Sequence, residues 1–121
     1  MTTLDDVARI ALALPGVTNE GWTYRVNGKQ LAWPWLERVH PKRPRVPNPE
    51  VLVVQVANEA RKFELVATEP EIFFTEPHYN GYAAVMLRLP VTPPERLEQA
   101  LQEAWSARSA QPKRGRRASR P

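Results

Sequence analysis

The chain has 121 residues and a mass of 13.8 kDa, enough for one domain with a real core and too little for a second. It has no cysteine, which excludes disulfides, thiolate metal sites and cysteine nucleophiles, and no apolar run nears the roughly 18 residues of a membrane span. The net charge of +4 is local: of 17 Lys and Arg, five (Lys113, Arg114, Arg116, Arg117 and Arg120) fall in residues 109–121, which hold no acid, and the remaining 12 face 13 acidic residues.

The N-terminus, MTTLDDVARI, carries acids early and lacks the basic and apolar regions of a secretion signal, so a cytoplasmic protein is expected. TLDDVARIALALPG reads as the first helix. Leu4, Val7, Ala8, Ala11 and Leu14 form one apolar stripe, Thr3 caps the start, Asp5 and Asp6 suit the positive end of the dipole, and Pro15-Gly16 ends it.

In WTYRVNGKQLAWPWL, Asn27-Gly28 between two alternating runs predicts a hairpin with a two-residue type I′ turn. That turn pairs Val26 with Lys29, Tyr24 with Leu31 and Trp22 with Trp33, and puts the large side chains on one face. Pro34 predicts a bulge or an edge. The aromatic group Trp22, Tyr24, Trp33 and Trp35, with Arg25 and Lys29 beside it, reads as a sheet face of the core or as a base-stacking platform.

Residues 37–50, ERVHPKRPRVPNPE, hold four prolines in nine residues and read as an extended surface loop. The loop carries His40 and the cations Arg38, Lys42, Arg43 and Arg45. EVLVVQVA is apolar on both faces and reads as a central strand. ANEARKFELVATEPE reads as a short helix capped by Asn58, with Ala60, Phe63 and Ala67 inward. IFFTEPHYNGYAAVMLRLP gives a short apolar segment, a turn and a last strand. TPPERLEQALQEAWSARS carries a helix start, with Thr92 as cap and Glu95 closing a capping box, and a buried stripe of Leu97, Ala100, Leu101, Ala104 and Trp105.

These elements predict an α+β fold, a two-layer sandwich with an antiparallel sheet and helices on one face, in the order α-β-β-β-α-β-β-α. The domain spans residues 1–108, and 109–121 reads as a basic disordered tail. The helix ending LALPGV, the hairpin YRVNGKQLAW, the run PEIFFTEPHYNGYAAVMLRL and the helix ERLEQALQEAW resemble the MmcQ/YjbR family, over nearly all of residues 3–108. The resemblance implies a two-layer fold of the secretion-chaperone or frataxin-like kind and a DNA-binding role. It brings no catalytic motif, and it covers neither the proline-rich loop nor the tail.

Chemistry-bearing groups are sparse. Ser106, Ser109 and Ser119 all lie at the C-terminal end, and His40 and His78 stand without a partner at ligand spacing. Glu76, His78, Tyr79 and Asn80 form the one catalytic candidate, outweighed by the ordinary needs of a turn. Glu69, Glu71 and Glu76 read as a solvated rim rather than a metal ridge. No enzyme activity, cofactor or metal is therefore expected.

Pro112-Lys113-Arg114-Gly115-Arg116 resembles an AT-hook, whose arginines enter the narrow minor groove of A·T tracts while Gly lets the backbone lie close. Arg117 stands where that motif usually closes with Pro. The expectation is a non-enzymatic protein that binds double-stranded DNA through Lys113, Arg114, Arg116, Arg117 and Arg120, helped by Lys42, Arg43 and Arg45. The alternative is a protein-interaction module that holds a partner chain on its sheet face or its proline-rich loop. No membrane association is expected.

Overall fold

A computed structural model describes residues 2–21, 23–37, 46–76 and 81–110, with the side chains of 36, 37, 46–49 and 110 left aside. The first helix, α1, spans Leu4–Leu12. Thr3 and Asp6 form a reciprocal capping box, the Thr3 side chain accepting from the Asp6 N–H and the Asp6 carboxylate from the Thr3 N–H. Those bonds, the one from the Thr3 backbone first, hold the Asp6 carboxyl below its usual range. Val7, Ile10 and Ala11 are buried, and Leu4, Ala8 and Leu14 pack beside them.

Six strands follow: β1 (Val17–Glu20), β2 (Thr23–Val26), β3 (Lys29–Glu37), β4 (Val46–Gln55), β5 (Phe73–Phe74) and β6 (Ala84–Arg88). They form one antiparallel sheet in the order β1-β2-β3-β4-β6-β5. Helix α2 (Glu59–Thr68) lies between β4 and β5, and α3 (Pro94–Ala110) closes the described chain after a 3-10 turn at Leu89–Val91. Side chains of all three helices join the main core with Tyr24, Val26, Leu31, Leu52, Val54, Phe73, Val85 and Leu87, so the helices share one face of the sheet.

The predicted α+β class holds, with one strand more than the sequence announces. β1, VTNE, has a single half-buried side chain and no alternation to mark it as a strand. The hairpin forms at Asn27-Gly28, both with positive φ (59° and 77°), as a type I′ turn requires. Its register does not run as expected. Val26 pairs with Lys29 and Arg25 with Gln30, but an irregularity next to Tyr24 pairs that residue with Ala32 rather than Leu31. The extra residue reverses facing beyond it. Tyr24 is buried under the helices, whereas Trp33 and Trp35 lie on the opposite face, so the aromatic group is split; Trp22 lies outside the described residues.

Pro34 sits at a register shift in β3, a strand flanked on both sides. β4 is central as expected but begins earlier than the prolines suggest, with Val46 and Pro47 paired to Glu37 and Leu36. The pairing to β6 reaches only from Val51 to Gln55, so residues 46–50 have one strand neighbour and their prolines cost no ladder bond on the open side.

α2 starts at Asn58, whose side chain accepts from the Arg61 N–H at 2.9 Å. Its buried stripe is not the predicted one. Ala60 and Ala67 are exposed and Phe63 is 56% exposed, while Leu65 and Lys62 (1% exposed) face inward. A hydrophobicity pattern scores Lys as polar, but its four-carbon stem packs like an apolar side chain when the ammonium finds an acceptor. Here Lys62 Nζ donates to the Tyr82 carbonyl at 3.1 Å.

The predicted capping box of α3 is absent as well. Thr92 caps the C-terminal end of the 3-10 turn, and its hydroxyl donates back to the Arg88 carbonyl at 2.6 Å. The Pro93 carbonyl instead accepts the N–H groups of Arg96 and Leu97, both at 3.0 Å. A buried hydrogen bond from the Thr2 hydroxyl to the Thr92 carbonyl ties the N-terminal end to this turn. The stripe itself forms as predicted: Leu97, Ala100, Leu101 and Ala104 are buried and Trp105 packs at its end. No described helix is long and apolar enough to cross a membrane.

Candidate nucleic-acid interface and the helix-free sheet face

All eight residues assigned to nucleic-acid contact (Lys113, Arg114, Arg116, Arg117, Arg120, Lys42, Arg43 and Arg45) lie outside the described residues. So do His40 and, from the turn cluster, His78, Tyr79 and Asn80. What the structure defines is the charge state of the body and the roots of the two basic segments.

Of the eight described Lys and Arg residues, seven have a named partner within the fold. Arg9 pairs with Asp6 at 3.2 Å and Arg25 with Glu20 at 2.9 Å. Arg61 bridges α2 to α3 through a fork onto Glu103 at 2.6 and 2.9 Å, and also reaches Glu64 at 2.9 Å. The Glu103 bonds, then those of Glu64, push the Arg61 guanidinium pKa up. Arg96 forks onto Glu69 at 2.8 and 2.7 Å, which holds the Glu69 carboxyl below its usual range. Lys62, Arg88 and Arg108 are taken by the carbonyls of Tyr82, Pro70 and Gln30. Lys29, the eighth, is engaged too. Glu69, once a candidate for a metal ridge, is thus committed to Arg96. Among the described residues no three His, Asp or Glu side chains gather as metal ligands would.

The end of α3 is fixed by three bonds. Trp105 Nε1 donates to the Pro15 carbonyl at 2.7 Å, Arg108 Nε donates to the Gln30 carbonyl at 2.8 Å, and the Ser109 hydroxyl donates to the Trp105 carbonyl. Burial lowers the pKa of the Arg108 guanidinium. α3 runs to Ala110, and its last turn is held beside the start of β3 by the bond from Arg108 to Gln30. The proline-rich segment departs after Glu37, at the far end of the same strand. Seven strand residues, about 23 Å, separate the two roots.

The face of the sheet without helices carries a second apolar cluster. Val53, Ala84 and Met86 are buried there, with Trp33, Trp35, Val51 and Phe74 half-buried around them. The register lays Trp33, Val53, Met86 and Phe74 side by side across β3, β4, β6 and β5. Arg88 stacks on Phe74, 4.2 Å from the ring centroid. Next to this stack, Glu50, Val51, Phe74, Arg88, Pro90 and Val91 line a cavity of about 350 Å³. Of these residues the sequence singled out Trp33 and Trp35, as part of the aromatic group; it did not single out the Arg88–Phe74 stack or the cavity. The stack joins residues 14 apart whose meeting depends on the pairing of β5 with β6.

The profile of the YjbR family matches residues 12–107. The uncharacterized proteins Mb2600 of Mycobacterium bovis and Rv2570 of Mycobacterium tuberculosis are each 39% identical over 115 residues, covering 87% of this chain and 87% of their own length. Among solved structures, none matches at a significant level. The match runs from the last residue of α1 through the hairpin, the central strands and α2 to most of α3, the segments that build the sheet and much of its helical cover; the chain belongs to the YjbR family.

Proposed function

We propose that this protein binds double-stranded nucleic acid, with DNA as its ligand, through Lys113, Arg114, Arg116, Arg117 and Arg120. The folded domain acts as a rigid anchor whose acids outnumber its bases, and no catalytic step is assigned. One observation carries the reading: the described cations of the body are engaged within the fold, so the positive surplus belongs to the two segments at 38–45 and 113–120. A body whose acids outnumber its bases adds no net attraction to phosphate, so affinity and salt dependence follow the segments.

The roots of those segments support one arrangement. Residues 111–121, fully extended, reach at most about 40 Å from the pinned end of α3. The strand end that precedes the segment of Lys42, Arg43 and Arg45, at Glu37, lies about 23 Å along β3 from Gln30, close to two-thirds of a duplex turn. Arg114 and Arg116 sit in the minor groove of an A·T-rich tract, and the loop cations touch phosphate further along the same duplex. The test is duplex binding by the full chain across a salt series, compared with chains in which the tail arginines are replaced by Gln. Unchanged binding after the replacements would overturn the assignment.

A second reading, in which the helix-free face holds a partner chain, draws on the row Trp33, Val53, Met86 and Phe74. It predicts partner binding that survives removal of the tail charges, and so separates from the first in the same set of variants.

A further inference from the structure

Phe73 and Phe74 each carry an arginine against the ring, and the two stacks are completed differently. On the helix side, Arg96 lies 5.1 Å from the Phe73 centroid and spends its Nε and Nη2 edge on both oxygens of Glu69. On the helix-free side, Arg88 lies 4.2 Å from the Phe74 centroid and donates Nη1 to the Pro70 carbonyl at 2.9 Å. Among the described residues, its Nε and Nη2 edge meets no carboxylate. A stacked guanidinium is held flat and presents that edge as a fork matched to a carboxylate. The molecule itself shows, at Phe73, what such a fork takes.

We infer that the cavity beside Phe74 is a binding site for a monocarboxylate with a short apolar body, its carboxylate received by Arg88. The cavity, about 350 Å³, is walled by Val51, Phe74, Pro90 and Val91, which suit a branched aliphatic group. Val91 is 56% exposed at its mouth. Most of the lining is apolar, so a ligand with one charged end fits it better than a dianionic phosphate, which is charged all round. A neutral ligand would leave the guanidinium edge unanswered. Arg88 is pre-positioned at both ends. Its N–H donates to the Ile72 carbonyl at 2.9 Å, its carbonyl accepts from the Thr92 hydroxyl at 2.6 Å, and its strand neighbour is Val51. No residue of the site belongs to either basic segment, so the site stands independently of nucleic-acid binding.

The ligand chemistry has two sources, a free small acid and the C-terminal residue of a polypeptide. The experiment is amide chemical-shift mapping on the full chain with N-acetyl-leucine, N-acetyl-leucinamide, and a short peptide ending in Leu as free acid or amide. The acids should perturb Val51, Phe74, Arg88 and Val91, with half-saturation on the order of 1 mM or below. The amides should leave these signals in place. Arg88→Lys should weaken binding about tenfold or more, because a point charge loses the fork. Val91→Glu, at an exposed position, should abolish binding with the rest of the spectrum retained. A peptide acid that binds tenfold tighter than N-acetyl-leucine assigns the site to chain termini; equal affinity assigns it to small acids. Absence of perturbation at about 10 mM, equal response to acid and amide, or full binding by Arg88→Lys would each overturn the proposal.

Discussion

Phe73 and Phe74 are consecutive, yet the sheet turns them to opposite faces, and the two faces are finished in different ways. Under the helices, aliphatic side chains from α1, α2 and α3 close over Phe73, and the arginine on its ring is neutralised by Glu69. On the other face, half-buried Trp33, Trp35 and Phe74 surround buried Val53, Ala84 and Met86, and among the described residues the arginine on Phe74 donates to a carbonyl and to no carboxylate. The same local device is closed within the fold on one side and left for a ligand on the other. The helix-covered face accounts for stability, and the face that no described helix covers and the segments beyond the sheet are where binding is to be sought.

The largest expected effect sets the two faces against each other. Leu101→Ala removes a fully buried side chain from the helix face and should cost about 3–5 kcal/mol, whereas Val51→Ala on the other face should cost about 1 kcal/mol. Urea denaturation measures both. Equal costs would show that the second cluster is as tightly closed as the first, and the comparison would break.

A sharper version lies within α2. Lys62→Ala should cost about 2–4 kcal/mol, through a lost buried stem and an orphaned carbonyl, while its neighbour Phe63→Ala should cost under about 0.5 kcal/mol. The reverse order would restore the stripe that the sequence pattern suggests and reject the observed orientation of the helix.

That contrast marks how far the sequence could be read. Thr3 with Asp6, Asn58 and Asn27-Gly28 act through bonds and dihedrals within a few residues, so their local chemistry announced α1, the start of α2 and the hairpin. The continuous apolar run at Val51–Val54 announced a central strand. β1 was illegible because VTNE buries almost nothing. Lys62 was misread because its burial depends on a carbonyl 20 residues away. Thr92 was misread because its hydroxyl turns back to Arg88 instead of forward into the helix. The hairpin's aromatic face failed on one irregularity beside Tyr24, which no propensity signals. Of the candidate interface, the sequence named the cations; that the body's own cations are held within the fold rests on ion pairs between distant elements such as Arg61–Glu103.

A smaller effect tests the closed stack through pH. Hydrogen bonds from Arg96 are the first cause that depresses the Glu69 carboxyl, so its folded pKa lies below the ordinary 4.5. Its contribution is complete above that ordinary value and is lost as pH falls through it toward the folded one. Glu69→Gln should cost about 1 kcal/mol near neutrality and flatten part of the decline in stability between roughly pH 5 and 3. An unchanged acid limb would mean that the pair is not maintained in solution.

The central claim is that charge outside the body, and not the body itself, binds the duplex. Fluorescence anisotropy of a labelled A·T-rich duplex, titrated with the full chain across a salt series, tests it most directly. The account predicts a log–log salt slope of about −4 from the five tail cations, steeper where the loop cations engage as well. It also predicts a greater loss for the double replacement Arg114→Gln with Arg116→Gln than for Arg117→Gln with Arg120→Gln. Equivalent losses would remove the minor-groove placement, and no measurable binding at about 50 mM salt would contradict the claim altogether.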